Sequence, residues 1–108
     1  MDAVERLRRL CIDDQVAGAD EGPEWSEALD ERTVALVRIA ALIANNAPAA
    51  SMRSAVDDAV AAGVALEEIV AVLEGLIGDV GLPRVVAAAP RIAVALGHGE
   101  DLVPDSEA

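Results

Sequence analysis

Apolar side chains recur along this chain at intervals of three and four and never alternate for long with polar ones. That is the period of helices packed on one another, not of strands. The clearest case is residues 67–79. There Ile69, Val72, Leu73, Leu76, Ile77 and Val80 follow the i, i+3, i+4, i+7, i+8, i+11 pattern of a core-facing stripe. Residues 31–44 are apolar nearly all round (Val34, Leu36, Val37, Ile39, Ala40, Leu42, Ile43), as expected of a helix in a core or at a subunit interface. Residues 2–14 predict a first short helix with Leu7, Leu10 and Cys11 on one face.

Local signals set the boundaries. Gly18, Gly22 and Pro23 mark 17–23 as a loop, and a short helical turn is expected at 25–29. Asp30 reads as an N-cap, with Glu31 at the positive end of the helix dipole. Asn45-Asn46-Ala47-Pro48 closes that helix, and Pro48 opens the next, which runs to about residue 62. Gly63 stands at a C-terminal cap. Gly81-Leu82-Pro83 stops one helix and starts the last, at 83–96, with Pro90 expected to kink it. Gly97-His98-Gly99 ends the fold, and 100–108 reads as a frayed acidic tail. The fold class is therefore all-α, a small bundle of five to six helices. Residues 1–29 form an N-terminal helix and acidic loop, 30–97 the helical domain, and 98–108 a tail.

Composition narrows the function. Among 108 residues there are 23 Ala, no Phe or Tyr, and one aromatic, Trp25. The formal charge is −12, from 20 acids against 8 bases, all of them Arg. Ten acids fall within 1–31 and four in the last ten residues, so the body is nearly neutral. Such a chain is not expected to bind nucleic acid or anionic membrane. One cysteine builds no internal disulfide, and the opening residues lack the features of a signal peptide. A cytoplasmic location is expected. With so little side-chain bulk, a private core is thin, and a homo-oligomer is expected to complete it.

Several segments together carry a family resemblance. They are Leu29-Asp30-Glu31-Arg32-Thr33, Asp58-Ala59-Val60-Ala61-Ala62-Gly63-Val64, Leu66-Glu67-Glu68-Ile69-Val70, and Gly81-Leu82-Pro83 before an Ala-rich helix. In order and spacing they resemble the carboxymuconolactone decarboxylase and alkylhydroperoxidase-like proteins. The resemblance implies an all-α fold assembled as a trimer or as a hexamer of dimers. It also implies reactive positions that this chain leaves empty. The peroxidase-like branch carries Cys-x-x-Cys-x-x-x-His where this chain has Pro48, Ser51 and Ala55, and often a Glu near Leu36. The decarboxylase branch has its His at Ala55, a Glu-x-x-Glu at Glu68 and Ala71, a later His at Gly75, and commonly a Tyr at Asp79. A thiol peroxidase is not expected, and the family name does not transfer as an activity.

The remaining candidates are polar. Arg53, with Ser51 and Asp57, is the candidate ligand-binding set, Arg53 orienting an acid; Arg53 and Asp57, four apart, equally suit a surface pair. Glu68 and Asp79 are the candidate proton-transfer groups, with a pKa raised by apolar surroundings. Helix capping explains Glu68 as well, and Asp79 suits either a cap or a pocket. Glu74 and Arg38 sit within apolar helices, where an intersubunit pair and plain exposure both fit. Cys11 is expected to be a buried small hydrophobe, His98 an exposed helix end, and Trp25 an anchor for the N-terminal segment. No metal site and no cofactor are expected. Three functions fit: a binder of a small organic acid between helices, with any chemistry by carboxylate and Arg; a catalytically silent structural or regulatory partner; or a lactone decarboxylase or peroxidase-like enzyme with relocated groups.

Overall fold

The computed structural model describes residues 2–12, 25 and 27–102. They form six helices and, among the described residues, no strand: α1 (Ala3–Ile12), α2 (Glu31–Ala44), α3 (Ala49–Ala61), α4 (Leu66–Val80), α5 (Leu82–Ala95) and α6 (Gly99–Leu102). The expected loop at 17–23 lies outside the described residues. Within the short helical turn expected at 25–29, residues 27 and 28 form a turn and 29 a bend. The short α6 replaces the first part of the expected frayed tail, and 103–108 lie outside the described residues.

The helix ends follow from local chemistry. The Asp30 carboxylate accepts from Thr33 N–H at 2.8 Å and caps α2. After α2, Asn46 takes a positive φ of 54°, and Ala47 N–H reaches back to the Leu42 carbonyl at 3.0 Å. Gly63, at φ +87°, closes α3 in the same way, with Val64 N–H bonding the Ala59 carbonyl. Gly81 alone separates α4 from α5. Pro90 lies inside α5 without ending it. The residue whose carbonyl it leaves without a helical donor is Val86, which is exposed.

α5 is the hub of the bundle, packing against α2, α3, α4 and α6. The core gathers Ile39 and Ile43 from α2, Met52 and Val56 from α3, Ile69 from α4 and Ile92 from α5, interleaved with buried alanines such as Ala55, Ala59 and Ala88. No polar or charged side chain is buried among the described residues. Small Ala faces let the helices approach closely, and the few branched residues fill what remains.

Two expectations about faces change. α2 is apolar all round, but only Ala35, Ile39 and Ile43 are buried, and Val37 faces out. On α4 only Ile69 is fully buried; Val72, Leu73, Leu76 and Val80 are partly covered, and Ile77 is exposed. The reason is position. α4 lies at the edge of the bundle, touching only α2 and α5, so part of its stripe has no neighbour. α1 goes further: it buries no residue and touches no other helix. Cys11, expected to be buried, is therefore exposed.

Candidate functional site

Glu68 is the best-defined of the sequence candidates, and its surroundings are those of a structural clamp. One carboxylate oxygen accepts from the Ala65 N–H at 2.8 Å, at the start of α4. The other accepts from the Arg32 guanidinium, which also donates to the Gly63 carbonyl at 2.6 Å. Arg32 thus ties the start of α2 to the α3–α4 turn and to the first turn of α4. The Ala65 N–H first, and Arg32 second, hold the Glu68 carboxyl below its ordinary value of 4.5. The raised pKa expected for proton transfer is replaced by a lowered one, because both oxygens are occupied by donors.

This clamp has a pH signature. A carboxylate whose pKa is depressed by folding contributes stability above its unfolded value, and loses it as the pH falls through the folded value. The melting temperature is expected to drop as the pH falls below about 4.5. Glu68→Gln should flatten that part of the profile while leaving the neutral-pH helical signal intact. Circular dichroism melts across the acid range would show it; superimposable profiles would remove Glu68 as the titrating group.

The other candidates scatter. Asp79 is exposed at the end of α4 and lines none of the four depressions described below. Ser51, Arg53 and Asp57 are all exposed on α3, but they do not converge on one depression. Arg53 edges a small depression of about 210 Å³ beside Arg91. Asp57 lines none of the depressions, and among the described residues it forms no ion pair with Arg53.

Ser51 does share a site with a cation. It opens onto a shallow depression of about 580 Å³ between α2 and α3, lined by Arg38, Leu42, Ala50, Ser51, Ser54 and Ala55. Arg38 also borders a second depression of about 490 Å³ along the same seam, beside Trp25 and Asp58. Its guanidinium carbon lies 5.9 Å from the centre of the Trp25 ring, and Nη1 lies 3.5 Å from Asp58 Oδ2. At that separation, with both groups substantially exposed, the ion pair is weak. A guanidinium has five N–H donors in a fixed fork, so donors remain for an incoming anion. Arg38 pairs with Asp58 within its own chain, and Glu74 is exposed. The sequence carried a signal for it, as the one charge within an otherwise apolar stretch of α2.

A third surface is apolar. A cavity of about 520 Å³ opens between α4, α5 and α6. Its walls are aliphatic and His98 is the polar side chain at its edge. His98, expected to be exposed, is half-buried there, because its N–H bonds the Ala93 carbonyl at 2.8 Å and its own carbonyl starts α6. None of the sequence candidates lines this cavity. Among the described residues, no group of three or more His, Cys, Asp or Glu side chains is gathered as a metal site. No helix among them is long and apolar enough to cross a membrane.

No curated protein and no solved structure matches the chain. The sequence profile described as "Carboxymuconolactone decarboxylase family" does match, over residues 13–95. That span takes in α2 to α5, both depressions along the α2–α3 seam, and the Arg32–Glu68 clamp. With its all-helical bundle and the spacing of its turns, the chain belongs to the carboxymuconolactone decarboxylase family.

Proposed function

We propose that this chain is a self-associating member of its family that binds a small organic acid in the depression between α2 and α3. The observation that carries the reading is the convergence of Arg38, Ser51 and Ser54 on one open depression. A guanidinium flanked by two hydroxyls suits a carboxylate, through charge-assisted bonds from the Arg and single bonds from the serines. Leu42 and the neighbouring alanines offer the apolar wall for the rest of such a ligand. Two of the lining positions, Ser51 and Ala55, are those where the family resemblance expects a thiol and an imidazole. The reading is therefore of binding without thiol chemistry. The carboxylate nearest Arg38 is Asp58, while Glu68 and Asp79 lie elsewhere. Self-association is supported by the exposed apolar side chains of α4 and α5, including Val70, Ile77, Leu82 and Val86.

Calorimetric titration with a panel of small mono- and dicarboxylates tests the binding. Removing a charge-assisted contact costs about 1.5–3 kcal/mol, so Arg38→Ala is expected to weaken the best ligand roughly 10- to 100-fold. Ser51→Ala combined with Ser54→Ala should weaken it less and leave the melting temperature unchanged. The reading fails if no carboxylate binds, or if Arg38→Ala binds as tightly as the parent.

A further inference from the structure

We infer that the apolar cavity between α4, α5 and α6 receives the α1 helix of a second copy of this chain, the two copies exchanging helices reciprocally. The inference rests on the self-association proposed above and names the surfaces that would carry it.

The first observation is α1 itself. At 100° per residue, Ala3, Val4, Leu7, Leu10 and Cys11 fall within an arc of about 120°, while Glu5, Arg6, Arg8 and Arg9 lie outside it. Val4, Leu7, Leu10 and Cys11 are all exposed, and α1 touches no other helix of its own chain. A ten-residue helix is marginal in water on its own, so a face this regular calls for a surface to bury it.

The second observation is the receiving cavity. Leu66, Ile69, Val70, Leu73 and Val86 form an aliphatic trough along α4 and α5. At 1.5 Å per residue, α1 is about 15 Å long; the lining positions 66–73 of α4 run about 11 Å and 86–96 along α5 about 15 Å, so α1 matches the trough on its α5 side. A helix laid by its i, i+3, i+7 anchors into such a trough is a recurrent mode of recognition.

Charge supplies the third. On α4, Glu67 and Glu74 flank the face that lines the cavity, and α6 adds Glu100 and Asp101. α1 carries three Arg against one Glu in a chain that is otherwise acidic. Arg8 and Arg9 share Glu5, and Arg6 has no ionic partner among the described residues. A basic helix beside an acidic rim favours the encounter and fixes its register.

The occupant is a second copy because, in the structure, α1 rests on none of the helices of its own chain. A reciprocal exchange also doubles the contact. Stable interfaces bury roughly 1,200–2,000 Å², and a two-fold exchange brings the contact nearer that range than one helix in one trough.

Cys11 lies within the apolar arc, whose centre is Leu7, and reports on whether that face is covered. The test combines light scattering with maleimide labelling of Cys11 in the full chain, against Leu7→Glu and Val86→Glu. Both side chains are exposed, so both variants should keep their helical signal. The parent is expected to be dimer-based, with Cys11 labelled at least about tenfold more slowly than in either variant, since labelling follows the open fraction. That protection should fade on dilution, and Arg6→Glu should weaken the assembly. A parent that is monomeric with freely labelled Cys11 overturns this inference and the proposed self-association together. An oligomer that survives either Glu substitution, or that labels Cys11 freely, overturns the helix exchange alone. Protection of Cys11 in a monomer, independent of concentration, places α1 on its own chain and also overturns it.

Discussion

Ile39→Ala is expected to destabilise the bundle by about 2–5 kcal/mol, towards the upper end of that range. Ile39 is 0% exposed and lies in the middle of α2, in one cluster with Ile43, Met52, Val56 and Ile69. The cost of a truncated core residue depends on how far its neighbours can collapse into the space. Here many of the neighbours are alanines, which have no rotamers to change. Only the movement of a whole helix could close the cavity, and that would disturb every other contact the helix makes. A domain of this size is stable by about 5–15 kcal/mol in total, and each kcal/mol lowers its melting temperature by about 4–8 °C. The expected drop is therefore on the order of 10–30 °C. Val37→Ala, two residues away on the exposed face of the same helix, should cost no more than about 0.5 kcal/mol. Urea and thermal melts followed by circular dichroism would compare the two. Equal, small losses would mean that the core is not packed as described.

The second large effect is expected at Gly81. It is both the last cap of α4 and the first cap of α5, with φ +94° and ψ 147°. That region is essentially open to glycine alone, and another residue held there costs about 1–3 kcal/mol. The penalty is conformational, not a matter of space. An added Cβ would meet the Pro83 ring at 3.7 Å, an ordinary contact. Gly81→Ala must therefore either absorb the strain or change the angle at which α4 meets α5. Gly78→Ala, in the helical interior with nothing within 4 Å of its Cβ, should stabilise by up to about 1 kcal/mol. Opposite signs in the two melts are the expected outcome. A neutral Gly81→Ala would mean that the joint relaxes without cost.

These two sites also mark what could be read in advance. Helix ends rest on local chemistry: the Asp30 cap, the left-handed closure at Gly63 and the break at Gly81 are each specified by adjacent residues. The boundaries of α2 to α5 accordingly agree with the sequence to within about two residues. Which face of a helix is covered depends on its neighbours, and periodicity is silent about them. The regular stripe of α4 is the example: the pattern identifies an apolar face, but the edge position of α4 leaves part of it uncovered. The same limit hid the arginines. Arg32 meets Glu68 across 36 residues, and Arg91 meets the Ala47 carbonyl across 44. The family resemblance located the stretch around Ser51 and Ala55, yet the cation there, Arg38, comes from another helix. Glu68 was conspicuous as a carboxylate, but its role as a clamp required knowing where Arg32 and Ala65 N–H lie.

Trp25 gives the molecule an unusual optical property. It is the only aromatic side chain, and it lies outside the buried core, over the Arg38 guanidinium beside the α2–α3 seam. Nothing in the interior absorbs or emits in the near ultraviolet. Intrinsic fluorescence of this chain therefore reports on Arg38 and the α2–α3 seam and not on the interior of the bundle. A ligand that draws the guanidinium away from the indole would change the emission while every helix stays folded.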